Sequence, residues 1–191
     1  MRTTLLLTLL LVTSLHADEF QSARTIERAN LYIDTHRVEL GIDGDNELRL
    51  AEGQNASLAE VARFEQWYRG VKVRNAWLFF SVDEDGAPAV NDRRVRSIDV
   101  DVKAVVRKEE AKHIAETTLA PMTARDADLL IVPRRSLAED SEPVPQADRL
   151  TWVVMMNGGG AMVVYVDAHS GEAYFIEQTQ LCGGPPPLPQ T

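Results

Sequence analysis

The sequence predicts an α+β protein of two consecutive units, each a helix packed on an antiparallel β-sheet. Three observations carry this. Segments Ser22–Leu40 and Lys108–Leu119 place apolar residues at three- to five-residue spacing, as amphipathic helices do. The stretches after each alternate with period two or are rich in β-branched and aromatic residues, as strands are. Between them stand reverse-turn pairs such as Arg69-Gly70 and Asp85-Gly86, and the order of helix then strands occurs twice.

The N-terminus reads as a secretory signal peptide. Arg2 supplies a positive charge, Leu5–Val12 is apolar apart from Thr8, and Ser14-Leu15-His16-Ala17 ends on a small residue before Asp18-Glu19. The apolar run is far shorter than the roughly 20 residues a membrane-spanning helix needs. Cleavage is expected after Ala17, and the absence of a Cys behind the apolar run argues against a lipid anchor. No later stretch could cross a bilayer as a helix. The expected product is acidic and exported, extracellular or periplasmic.

In the first unit, Ile26, Ala29, Ile33 and Val38 mark the apolar stripe of a helix ending near Gly41. Glu47–Glu52 alternates as a half-buried strand, and the segment from Gly53 to Ser57 breaks it. Val61–Tyr68 alternates in turn, Arg69-Gly70 reverses it into Val71–Val82, and Asp85-Gly86 closes the next hairpin. A long strand is expected from Ala89 to Val106. In the second unit, Lys108–Leu119 is a helix with Glu109 and Glu110 at the positive end of its dipole. Leu129–Val132 is a strand stopped by Pro133, and Arg134–Ala147 is an exposed loop. Leu150–Met156 and Ala161–Asp167 form a hairpin across three glycines, and Glu172–Glu177 is a further strand. The tail from Gly183 to Pro189 cannot enter a helix or central strand and is expected to be a solvated arm.

The chain has 191 residues, 20 Lys and Arg against 29 Asp and Glu, a net charge of -9 and one Cys. Such a balance argues against nucleic-acid binding, which needs clustered basic residues. Asp83 with Asp85 and Asp43 with Asp45 imitate the start of a calcium loop. In the first the sixth and twelfth positions are Pro88 and Arg94, and in the second Leu48 and Gln54, where Gly and Glu are required. Turn chemistry is the expected role of both groups. No His-Glu-x-x-His, Gly-x-Ser-x-Gly or phosphate-binding glycine loop occurs. Asp167, His169 and Ser170 are triad residue types, but neighbours on one turn point apart and cannot share a proton relay. Cys182 reads as an incidental exposed thiol, with an intermolecular disulfide as the alternative. No catalytic activity, cofactor or metal is expected.

The run Arg63-Phe64-Glu65-Gln66-Trp67-Tyr68-Arg69-Gly70-Val71-Lys72-Val73, followed by Asp83-Glu84-Asp85-Gly86 and Val90-Asn91, resembles the fungalysin/thermolysin propeptide (FTP) domain. The Lys108–Leu119 helix, Leu150–Val154 and the stretch from Tyr165 to Glu172 look like the PepSY domain that usually follows it. The resemblance implies an FTP-like domain at 18–106, a PepSY-like domain at 107–178 and a Gly/Pro-rich tail at 179–191, behind the signal at 1–17. Two departures stand out: Arg74-Asn75 replace an aromatic-Gly pair, and Asp92 replaces a Gly. Both lie at turns or strand edges, where Asn and Asp tolerate left-handed backbone.

In secreted metalloproteases these two domains precede a zinc catalytic domain, and here the sequence ends soon after Glu177. The resemblance therefore implies a non-catalytic module that inhibits a thermolysin-like zinc metalloprotease, or assists its folding, in trans. An envelope interaction protein using the same scaffold is the alternative. Arg63, Phe64, Gln66, Tyr68, Gly70, Asp85, Gly86, Trp152, Asp167 and Gly171 are expected to serve mainly the fold. Tyr174, Phe175, Ile176 and Glu177 are the expected contact with the enzyme.

Overall fold

The computed structural model describes residues 24–51, 61–83, 85–134, 147–158 and 161–179. The leader, the break at 53–57, most of the loop 134–147, Gly159, Gly160 and the tail with Cys182 lie outside them. The chain divides into two units, Met1–Ser97 and Ile98–Thr191. Both carry a helix and an antiparallel sheet, so the protein is α+β.

In the first unit, helix α1 covers 24–35. It is followed by strands β1 (Asn46–Leu50), β2 (Val61–Tyr68), β3 (Val71–Val82) and β4 (Pro88–Asp92), each antiparallel to the one before. Burial in β2 alternates strictly: Ala62, Phe64, Gln66 and Tyr68 are buried, and the residues between them are half-buried. Ala29 and Ile33 of α1, with Leu40 and Ile42 behind it, pack on Ala62, Phe64, Leu78 and Phe80. Arg69 and Gly70 sit at φ 47° and 80°, the two left-handed residues a tight hairpin turn demands.

Three expectations are corrected here. The first helix ends at 35, and Val38 is 93% exposed rather than part of the apolar stripe. Thr35 Oγ1 bonds to the carbonyls of Leu31 and Tyr32, and His36 Nδ1 approaches Tyr32 O at 2.9 Å, so side chains compete for the last helical carbonyls. Hydrogen-bonded turns then run to Gly41, which reverses the chain at φ 60°. The long strand at 89–106 is only Pro88–Asp92, and Val105 is 71% exposed. Beyond Asp92, side chains hold the backbone in place of a ladder, as described below.

The Arg74-Asn75 departure, expected at a turn or strand edge, lies instead inside β3, where a bulge accommodates it. The β2–β3 register shifts between Glu65 and Trp67, and the extra residues of β3 include Asn75 at φ 53°. Asn75 thus occupies the left-handed position that a Gly would fill, whereas Asp92 does not. Asn75→Val is expected to lower stability by about 1–2 kcal/mol in urea titrations, and Asn75→Gly to leave it within a few tenths.

In the second unit, helix α2 (Lys108–Thr118) precedes strands β5 (Thr123–Val132), β6 (Arg149–Asn157), β7 (Ala161–Asp167) and β8 (Ala173–Thr179), again an antiparallel meander. Glu109 and Glu110 stand in the first turn of α2, where the dipole favours them. Ala111 and Ala115 are wholly buried and bring the helix close to Ala127, Val154, Met156, Val164 and Val166. The correction in this unit is the strand expected at 129–132, which begins six residues earlier. Its first half is polar because Thr123, Arg125 and Asp128 are exposed, which hides the period in the sequence.

Candidate functional site

β8 is the last strand of its sheet, and its segment Ala-Tyr-Phe-Ile-Glu-Gln-Thr contains none of the Lys, Arg or Pro that commonly guard such a position. Its pairing with β7 runs Met162↔Gln178, Val163↔Glu177, Val164↔Ile176 and Tyr165↔Phe175. The register then shifts before Val166↔Ala173. Tyr174 is the extra residue, so Tyr174 and Phe175 both lie against Tyr165, with ring centroids 6.2 and 5.2 Å away. Tyr174 Oη and Thr151 Oγ1 are 2.9 Å apart, and the Arg149 guanidinium lies 4.6 Å over the Tyr174 ring. Tyr165 Oη donates to the Glu177 carboxylate.

Three of the four expected contact residues therefore serve the second unit itself. Ile176 is different: its side chain alternates away from Phe175 and is 41% exposed. Gln178 and Thr179, placed with the tail by the sequence reading or at its border, pair with Met162 and Ala161 as part of β8. Arg149 and Thr151 belong to this cluster and were missed. Their only sequence signal is a polar residue at each odd position opening a strand of otherwise apolar residues.

The motif residues divide between turns and buried anchors. Gln66 is 3% exposed; its amide accepts from Val95 N at 2.8 Å and donates to Val95 O at 2.9 Å, fixing the chain after β4. Arg94, with a 4% exposed side chain, forms a two-pronged pair with Asp92 and donates to the carbonyl of Leu40. Burial pushes the Asp92 carboxyl upward, but the hydrogen bonds and charge of Arg94, aided by Arg96, outweigh it and hold it below the ordinary carboxylate value. Phe64 and Tyr68 are buried. Arg63 lies over the Trp77 ring at 5.2 Å and pairs with Glu65 at 3.6 Å.

Gly86 sits at φ 81° in a turn closed by Asp83, whose Oδ1 accepts from Ala87 N at 2.7 Å; Asp85 is exposed there. Asp43 Oδ1 likewise accepts from Asp45 N and Asn46 N, and these backbone bonds lower its pKa. Both acidic groups are engaged in turn bonds. Among the described residues no three His, Cys, Asp or Glu side chains group as metal ligands.

Asp167, His169 and Ser170 show why the triad residue types do not assemble. Asp167 Oδ1 accepts the backbone N–H groups of His169 and Ser170, both at 2.9 Å, so the carboxylate holds the turn and not the imidazole. Burial raises the Asp167 pKa, yet these hydrogen bonds and the charge of Arg149 bring it below the usual value. Gly171 follows at φ 77°, a left-handed conformation that calls for Gly, whereas a Cβ there would meet Ile114 Cδ1 at an ordinary 3.4 Å. Trp152, expected to serve the fold, is half-buried among the residues under α2, and its Nε1 donates to Val106 O at 2.8 Å. No helix among the described residues is long and apolar enough to cross a membrane.

No protein-family profile matches the chain, and neither does any curated protein. Among solved structures it is similar to the Bacillus megaterium YpeB C-terminal domain, at 17% identity over 83% of this chain with a TM-score of 0.40. The alignment spans 65% of that domain structure, just under two thirds of its length.

Proposed function

We propose that the protein is a non-catalytic, propeptide-like module of the exported space that binds a secreted protease in trans. The partner class is a thermolysin-like zinc metalloprotease, which the module inhibits or helps to fold. The observation that supports this best is the placement of Ile176, an exposed β-branched side chain on a terminal strand that holds no Lys, Arg or Pro. A terminal strand can receive an extended segment by main-chain pairing, and the alternate outward side chain supplies selectivity. The order of FTP-like and PepSY-like motifs names the partner class. Binding of this kind draws its affinity from buried area and preorganisation and needs no reacting group.

The test is inhibition of a panel of secreted zinc metalloproteases by the purified chain. At least one enzyme should be inhibited, or should refold faster in its presence. Ile176→Lys should weaken that effect by about tenfold or more without shifting Tm by more than a degree or two. Deleting 180–191, a cut that spares β8, asks whether the tail adds to the contact. A panel with no enzyme inhibited or assisted would overturn the reading. An Ile176→Lys variant as potent as the parent would remove β8 from it.

A further inference from the structure

The sheet of the first unit has a second face, turned away from α1 and its core. Residues opposite one another on an antiparallel ladder share a face, and the rows Glu47–Trp67–Lys72 and Arg49–Glu65–Trp77 cross this one. Arg63 stands on the same side of β2, two residues before Glu65. Trp67 and Trp77 are half-buried, with cations over their rings: Arg49 lies 4.1 Å from the centre of Trp67, and Arg63 and Arg93 lie 5.2 and 6.0 Å from that of Trp77. The indole N–H groups of both are shielded from solvent and meet no acceptor among the described residues. A shielded donor without an acceptor is costly, and the guanidinium groups over these two are themselves donors.

Charge names the occupant. Arg49, Arg63, Lys72 and Arg93 stand here against two carboxylates, Glu47 and Glu65, in a chain of net charge -9. Glu65 is shared by Arg63 at 3.6 Å and Lys72 at 2.7 Å, and it lies beneath them, 16% exposed against 43% and 37%. Arg49 gives Nε and Nη2 to one oxygen of Glu47, and the exposed Arg93 makes no ion pair among the described residues. Positive charge therefore remains in excess after the internal pairs are made. A sugar ring needs a bare aromatic face, which Arg49 and Arg63 cover, and a continuous polyanion would be opposed by Glu47 and Glu65. Separate carboxylates on one side of an extended peptide, about 7 Å apart, suit the site better. We propose that this face binds an acidic polypeptide segment. Its carboxylates pair with the four cations and, by drawing the guanidinium groups outward, become the acceptors of the Trp67 and Trp77 N–H groups.

The probe is a blocked nonapeptide, Glu-Thr-Glu-Thr-Glu-Thr-Glu-Thr-Glu, titrated into isotope-labelled full chain and followed by the indole N–H signals. Those of Trp67 and Trp77 should move downfield, while that of Trp152, already bonded to Val106 O, stays in place. Exchanging every Glu of the peptide for Gln should weaken binding by about tenfold or more, and so should raising the salt from about 0.02 to 0.5 M. Arg93→Glu, at an exposed position, should do the same while Tm is kept. The peptide variants decide the matter even if that protein variant misfolds. Dextran sulfate at matched charge should bind more weakly than the peptide. Absence of binding, unmoved Trp67 and Trp77 signals, equal affinity of the Gln peptide, or dextran sulfate binding as tightly as the peptide would overturn the proposal. Ile176→Lys should leave this binding unchanged, so the result is independent of inhibition through β8.

Discussion

Arg94→Ala is expected to destabilise the first unit by about 3–5 kcal/mol, a large part of the roughly 5–15 kcal/mol that holds a domain folded. The guanidinium has a 4% exposed side chain, and its removal strips the Leu40 carbonyl of this donor and leaves the Asp92 carboxylate, itself mostly buried, with only the exposed Arg96 as a charged partner. Losing one member of a buried pair costs more than the pair contributes, because the remaining charge stays desolvated. The double variant Arg94→Leu with Asp92→Leu should accordingly recover part of the loss. Chemical denaturation followed by the fluorescence of Trp67 and Trp77 reads this unit. A midpoint unchanged by Arg94→Ala would show that the pair holds nothing.

Acid should reach the same bond. The native Asp92 pKa lies below its ordinary 3.8, so the unfolded chain takes up its proton first as pH falls. The stability from this pair is therefore fully present above about pH 4 and is lost as pH drops through the lowered native value. Asp167, lowered in the second unit against the cost of burial, follows the same sign. Asp92→Asn should flatten the acid limb of the first unit's stability curve, and a limb of unchanged slope would contradict the assignment.

What could be read from the sequence depended on how each element is held. β2, β3 and β7 were legible to the residue or nearly so, because alternation and turn pairs such as Arg69-Gly70 are local signals. The segment after Asp92 was misread because its apolar residues suggested a ladder, whereas Gln66 and Asp92, reaching from other strands, fix it through side chains. No periodicity encodes a bond between residues 29 apart in sequence, as Gln66 and Val95 are. β5 was half missed because one exposed edge of polar residues obscures its period. At β8 alternation puts Phe175 and Ile176 on opposite faces of the sheet, opposite Tyr165 and Val164. The register shift that turns Tyr174 inward as well depends on β7 and has no local signature. A small cavity of the first unit, lined by Asn30, Ile33, Ile42, Leu48 and Phe64 among others, was wholly hidden, since it arises from residues of α1, β1, β2 and the intervening turn meeting in space.

Trp152→Ala should lower the stability of the second unit by about 3 kcal/mol, toward the smaller end of aromatic truncations because the ring is half-buried. Two losses combine. The ring packs with the residues between α2 and the sheet, and its Nε1 is bonded to Val106 O at the entry to α2. Removing it opens a gap beneath the helix and frees the segment that delivers the chain into it. Trp152→Phe separates the two effects: it retains most of the packing and should cost about 1 kcal/mol for the hydrogen bond. Far-UV circular dichroism through a urea titration reads the helix directly. If Ala and Phe prove equally costly, the bond to Val106 is what secures α2, and if neither shifts the midpoint, the ring is a surface residue available to a partner.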